Sequence, residues 1–248
     1  MKVFSVCGYS KSGKTTTIEN IIKELSARGY KVGSIKEIHA EGFKMDPDPV
    51  SNTNRHRAAG SLLVCARGNN ETDIMFPEKL PVSKILSFYE GVYDWVVMEG
   101  VDDIPVPTIV TAHNEEDLLA NWSDMAFCVS GRVTSVITKY QGKPALDATV
   151  NIEGLVDLIE RKVYKRLPNF PPECCMACGM TCGELGQAIL GGKKRRSDCV
   201  ADIGLELICA GRPIDMVPFV QNILRNAVLG VVSELEGYEK GGSVEIKL

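Results

Sequence analysis

The chain has 248 residues, 44% of them hydrophobic and 24% charged, which suits a folded globular protein and excludes a wholly disordered one. Its formal net charge is −4 with a pI near 5.5, so no overall basic field draws in nucleic acid or an anionic membrane surface. No apolar run approaches the roughly 18 residues of a membrane-spanning helix, and the stretch Met1 to Gly8 is too short and too weakly basic for an export signal, which predicts a cytoplasmic protein.

Apolar β-type runs then alternate with helical patterns from residue 1 to about 165, the signature of an α/β domain around a mostly parallel sheet. Strands are expected at Lys2–Cys7, Tyr30–Lys36, Ser61–Arg67, Trp95–Glu99, Val106–Thr111 and Met125–Ser130. The first helix is expected over Lys14–Arg28, with Ile18, Ile21, Ile22 and Leu25 on one face and Gly29 as its stop. Further helices are expected at Val82–Tyr89 and at Ile152–Tyr164, the latter carrying Leu155, Val156, Ile159 and Val163 on one face.

The proline-rich stretch Leu167–Pro172 cannot continue that helix and marks a domain boundary, giving a nucleotide-binding domain over 1–167 and a small α+β cysteine-rich domain over 173–248. In the second part a short helix is expected at Gly183–Leu190, then the basic run Lys193–Arg196 as a solvated turn or a phosphate contact. A strand at Leu205–Cys209, a turn at Ala210–Pro213, an apolar helix at Pro218–Leu235 and a strand at Ser243–Lys247 complete the reading.

Between the first strand and the first helix lies Gly8-Tyr9-Ser10-Lys11-Ser12-Gly13-Lys14-Thr15, followed by Thr16, in the GxxxxGK[ST] pattern of a phosphate-binding loop. Its glycines let backbone N–H groups converge on phosphate without a Cβ in the way, and the helix that follows offers its positive end. Lys14 would reach the β- and γ-phosphates, and the Thr15 hydroxyl would ligate Mg²⁺. Glu99, closing the apolar strand Trp95–Glu99, is the carboxylate candidate for the same metal. Lys14, Thr15 and Glu99 are therefore the catalytic candidates. Lys36, His39, Arg55 and His56 follow the second strand and are candidates for ligand contact, because ligands gather at the carboxyl ends of parallel strands.

Together, Gly8 to Thr16, Gly33-Ser34-Ile35-Lys36, Asn54-Arg55-His56-Arg57-Ala58-Ala59-Gly60 and Trp95-Val96-Val97-Met98-Glu99-Gly100 resemble the molybdopterin-guanine dinucleotide biosynthesis protein B family over residues 1 to about 165. The resemblance implies a P-loop NTPase fold, GTP as the bound nucleotide, weak GTPase activity and a place beside the guanylyltransferase, or another maturation partner, of the molybdenum cofactor. Proteins of this resemblance often form homodimers. The chain departs from the family pattern after Lys36, where Glu37-Ile38-His39-Ala40-Glu41 stands in place of more histidine and aspartate. No Asn-Lys-x-Asp guanine motif occurs, so GTP over ATP rests on the resemblance.

Of nine cysteines, Cys7, Cys65, Cys128 and Cys209 lie in apolar stretches and read as buried thiols. Cys175, Cys178, Cys182 and Cys199 supply four soft ligands at close spacing, the set that a [4Fe–4S] cluster or a structural Zn²⁺ requires, with Cys174 as an alternative first ligand. The stretch from Cys174 to about residue 200 resembles the small four-cysteine [4Fe–4S] domain of some electron-transfer and corrinoid-linked proteins. In that domain the middle gap is normally one residue longer. A nucleotide-gated iron-sulfur sensor or electron-transfer protein is the alternative function this implies.

Overall fold

A computed structural model of the chain describes all residues except 174, 202–204, 206, 210, 211, 215, 217, 239–243 and 245–248. Its centre is a five-stranded sheet of β1 (Lys2–Cys7), β2 (Val32–Lys36), β5 (Trp95–Glu99), β6 (Thr108–Thr111) and β7 (Ala126–Ser130), in the order β2-β5-β1-β6-β7. Every pairing in it is parallel. β5, β6 and β7 are short and buried on both faces, as parallel sheets demand, while β2 at the edge is buried only at Ile35.

Alternation along each strand sorts the side chains between two layers. Phe4 and Val6 of β1, with Trp95 and Val97 of β5, face α1 (Lys14–Ala27) and α5 (Ile152–Lys162), which contribute Ile18, Ile21, Leu25, Leu155 and Ile159. Val3, Val96 and Met98 face the other way, onto Val82 and Leu86 of α3 (Val82–Ser87). Each fully buried aliphatic side chain of this kind contributes about 1.5–3 kcal/mol. A third cluster joins Val110 and Val129 to Leu118 of α4 (Glu115–Asn121).

The expected run Ser61–Arg67 is a strand only from Val64 and lies outside the central sheet. There β3 (Val64–Arg67) pairs antiparallel with β4 (Thr72–Met75), as β8 (Lys139–Tyr140) does with β9 (Lys143–Pro144). Helix α2 (Asn52–Ala58), capped by the Ser51 side chain, and α4 have almost no apolar stripe and gave no periodic signal.

In the second part, α6 (Cys182–Leu190) begins with a reciprocal cap in which the Thr181 hydroxyl accepts from the Glu184 backbone N–H. It buries Cys182, Leu185 and Leu190 in the same cluster as Phe4, Trp95 and Tyr164. Arg196 ties this segment back by donating to the carbonyls of Lys165 and Arg166. The expected turn Ala210–Pro213 is instead partly strand: β10 (Leu207–Cys209) pairs antiparallel with β11 (Arg212–Ile214). α7 follows at Pro218–Val232. The expected strand Ser243–Lys247 falls, apart from Val244, outside the described residues. No helix among the described residues is long and apolar enough to cross a membrane.

Candidate nucleotide site

Parallel pairing delivers the ends of β1, β2, β5, β6 and β7 to one edge. Register then decides which side chains meet there: Val6 and Lys36 both stand opposite Glu99, and Cys7 stands opposite Val110. The chain leaves β1 at Gly8 and turns into α1 at Gly13, whose backbone has φ of 106°. At Gly8, with φ of 144°, a Cβ would lie 2.0 Å from the carbonyl oxygen of Thr111 on β6. Only glycine fits this approach.

The loop is pinned from beneath as well. The Ser12 hydroxyl pairs with the Thr111 hydroxyl at 2.7 Å and lies 2.8 Å from the Tyr9 carbonyl, to which it donates. The Arg132 backbone N–H donates to the Ser12 carbonyl at 3.1 Å. Gly131 makes this approach possible, since a Cβ there would stand 2.3 Å from the Ser12 oxygen.

Lys14 Nζ donates to the carbonyls of Gly8 and Tyr9 at 2.7 and 2.6 Å, which holds the ammonium at the mouth of the loop. Burial, and then the neighbouring Lys36 charge, lowers its pKa below the ordinary lysine value, while Glu99 opposes the shift. At the second residue of α1, the Thr15 hydroxyl donates to Glu99 Oε1 at 3.1 Å. Glu99 is buried on β5 and also accepts from Lys36 Nζ. A hydroxyl and a carboxylate so placed are the hard oxygen donors that Mg²⁺ takes, so the donor set fits that ion.

These groups line a cleft of about 840 Å³, within the usual range for small-ligand sites. All nine residues from Gly8 to Thr16 except the buried Ser12 line it, with Lys36, Glu37, His39, Glu99 and Asp102 at one end. Arg55 and His56 are absent from its walls: they sit exposed on α2. At the other end are Asn121, Gly131, Arg132, Asp147 and Thr149, none of which stood out in the sequence. Asn121 ends α4, before β7; for the other four the only signal was position after β7, an outer parallel strand of the sheet.

The cysteines assemble less completely. Cys178, Cys182 and Cys199 pack on the main core, yet no three ligating side chains among the described residues form a group that could hold a metal ion. The four-thiolate site expected from the spacing is therefore not formed by the described residues. Two local facts account for this. Cys182 opens α6 with its thiol buried in apolar surroundings, which raises its pKa and disfavours the thiolate. Cys178 turns its thiol to the Met180 carbonyl, 3.4 Å away. Cys174 lies outside the described residues. Of the thiols read as core, Cys128 is buried and Cys7 half-buried, but Cys65 and Cys209 are exposed because the hairpins β3-β4 and β10-β11 cover neither.

Comparison with known proteins agrees with the fold. Residues 3–131 match the family profile of molybdopterin guanine dinucleotide synthesis protein B. A protein of Methanocaldococcus jannaschii, provisionally named a molybdopterin-guanine dinucleotide biosynthesis adapter protein, is 26% identical over 253 residues, covering 100% of this chain and 97% of its own length. The Haemophilus influenzae molybdopterin-guanine dinucleotide biosynthesis adapter protein is 33% identical over 117 residues, 46% of this chain and 64% of its own length. The crystal structure of Bacillus subtilis MobB superposes with a TM-score of 0.55 at 24% identity, covering 67% of this chain and 100% of that one, a likeness of fold.

Proposed function

The chain belongs to the molybdopterin guanine dinucleotide synthesis protein B family, and we propose that it is a GTP-binding adapter that serves attachment of the guanine nucleotide to molybdopterin. The observation that carries the reading is the Gly8–Thr15 loop held between β1 and α1, with the Thr15 hydroxyl on Glu99. Backbone N–H groups of the loop would hold the β- and γ-phosphates, and Lys14 would exchange its two carbonyl partners for phosphate oxygens. Thr15 and Glu99 would hold Mg²⁺, which when bound spreads charge across the phosphate oxygens. Lys36, now on Glu99, is placed to neutralise charge at the terminal phosphate. Besides Glu99, the carboxylates at that end are Asp102 and Glu37, the latter accepting from Lys79 Nζ at 2.6 Å; hydrolysis by the chain alone is slow and a partner completes it. The names of the adapter relatives support a partner within the same pathway, for which a guanylyltransferase of the molybdenum cofactor is the reading adopted.

Calorimetry with GTP, with and without Mg²⁺, tests this directly. Lys14→Ala should weaken binding by about 10–100-fold, the worth of one or two charge-assisted hydrogen bonds; unchanged affinity would remove the phosphate assignment.

A second reading adds a metal centre at Cys175, Cys178, Cys182 and Cys199, as [4Fe–4S] or Zn²⁺. Its support is that Cys182 lies in one core cluster and Cys178 and Cys199 pack against the same cluster. Iron and sulfide analysis of anaerobically purified protein decides it. Colourless protein with one equivalent of zinc would leave only the structural-metal form, and metal-free folded protein would eliminate both.

A further inference from the structure

The cleft has two ends. Thr15, Glu99 and Lys36, the groups suited to the terminal phosphate and its metal, lie on the β5 and β2 side of β1. A nucleotide with its phosphates in the loop runs its sugar and base the other way, across β6 and β7, where Asn121, Arg132, Asp147 and Thr149 line the same cleft. Most polar groups at this end are already engaged. Asn121 donates its amide to the Asp117 carbonyl at 2.8 Å, and the Asp147 carboxylate accepts from the Thr149 N–H and hydroxyl and from Thr134. The Arg132 guanidinium differs: it is exposed, and among the described residues it has no hydrogen-bond or ion-pair partner. The start of that side chain is nonetheless fixed against the loop. The Arg132 N–H donates to the Ser12 carbonyl at 3.1 Å, and the Arg132 carbonyl accepts from the Ser135 hydroxyl at 3.0 Å within the 3₁₀ turn Arg132–Ser135. Just before it, the Cα of Gly131 stands 3.0 Å from where a Cβ on Gly13 would be. A side chain rooted there stands beside the path from the phosphates towards β7, along the flank of the sugar and base.

We propose that the Arg132 guanidinium packs flat on the face of the purine base and supplies affinity for the nucleoside part of the bound nucleotide. This rests on the nucleotide reading of the cleft and deepens it. The phosphates are already served by the loop N–H groups, Lys14 and Lys36, at the other end of the cleft. What an arginine adds is a planar, weakly hydrated cation, which leaves water at less cost than an ammonium and is attracted by the electron-rich face of an aromatic ring. The base's hydrogen-bonding edge is the part farthest from the phosphates, whereas its face lies along the wall that Arg132 occupies. Every base has such a face, so this contact gives affinity for a base without reading its exocyclic groups. Choice between guanine and adenine then falls to other groups of the site.

The experiment separates the base from the phosphates and the ring face from hydrogen bonding. The full chain is titrated by calorimetry in Mg²⁺ with GTP and with inorganic tripolyphosphate, as native protein, Arg132→Ala and Arg132→Tyr. The bonds that hold Arg132 in place are all from its backbone, so both variants keep the loop, and tripolyphosphate binding reports that they do. Arg132→Ala should lose about 5–30-fold in GTP affinity, as expected for a cation–π contact shielded from water, and keep the native affinity for tripolyphosphate. Arg132→Tyr, which offers a ring to stack on but neither the charge nor the donors of arginine, should restore most of the GTP affinity. Native GTP affinity in Arg132→Ala would overturn the assignment. Equal loss of GTP and tripolyphosphate would make Arg132 a phosphate contact, and no recovery in Arg132→Tyr would make it a hydrogen-bond donor; either result overturns the stacking and leaves the phosphate loop standing. Failure of the native protein to bind GTP and tripolyphosphate alike would instead overturn the nucleotide reading beneath it.

Discussion

The phosphate loop and the cysteine segment are both short motifs of ligand-type residues, and they reach structure by different routes. In the loop the ligand groups are backbone N–H groups, so a strand, two glycines and a helix start are enough to aim them. In the cysteine segment the ligand groups are side chains on a loop, a helix start and a 3₁₀ turn, and they converge only if the surrounding packing turns each thiol the same way. Cys182 is turned into the core by the helix that Leu185 and Leu190 anchor, while Cys178 faces the Met180 carbonyl. Backbone sites are written locally, and side-chain sites are written in the tertiary contacts.

The comparison can be broken most severely at Leu185. If α6 is part of the main core, Leu185→Ala should cost about 2–5 kcal/mol of global stability, and denaturant unfolding monitored by the two tryptophans on the sheet side, Trp95 and Trp122, should register it. A midpoint unchanged at those probes would mean that the cysteine segment folds apart from the sheet. Next in size is Gly8→Ala. A Cβ against the Thr111 carbonyl, on a backbone with positive φ, should cost about 1–3 kcal/mol and abolish GTP binding together. Loss of stability with binding retained would show that the loop can be re-formed around a side chain.

These sites differ in how much of them could be read in advance. β1 and β5 were legible almost to the residue, because a strand buried on both faces is an unbroken apolar run, and α1 was legible because Ile18, Ile21 and Leu25 repeat at helical spacing. The run at Ser61–Arg67 looked the same and proved to be half of an exposed hairpin, since apolarity does not say which sheet a strand joins. Lys14, Thr15 and Glu99 were legible from a motif and a strand end. Asp147 and Gly131 were not, because their relation to the loop is a contact across the sheet with no spacing rule in the chain.

The smallest expected effect is a pH dependence. Burial and Lys36 lower the pKa of Lys14 in the free protein, and bound phosphate would raise it. GTP affinity should therefore weaken as pH rises through the lowered free-state value, as read by calorimetry from neutral to alkaline pH. The dependence should vanish in Lys14→Ala. A profile that weakens equally in the variant would assign the titration to another group.

The bond from the Arg132 N–H to the Ser12 carbonyl, made possible by the bare Cα of Gly131, fastens the middle of the loop to the end of a strand two places away in the sheet. The conformational freedom of that loop is therefore lost when the chain folds, not when a nucleotide arrives. Association then needs no loop ordering, and heat or denaturant that loosens β7 should weaken nucleotide binding before the rest of the sheet gives way.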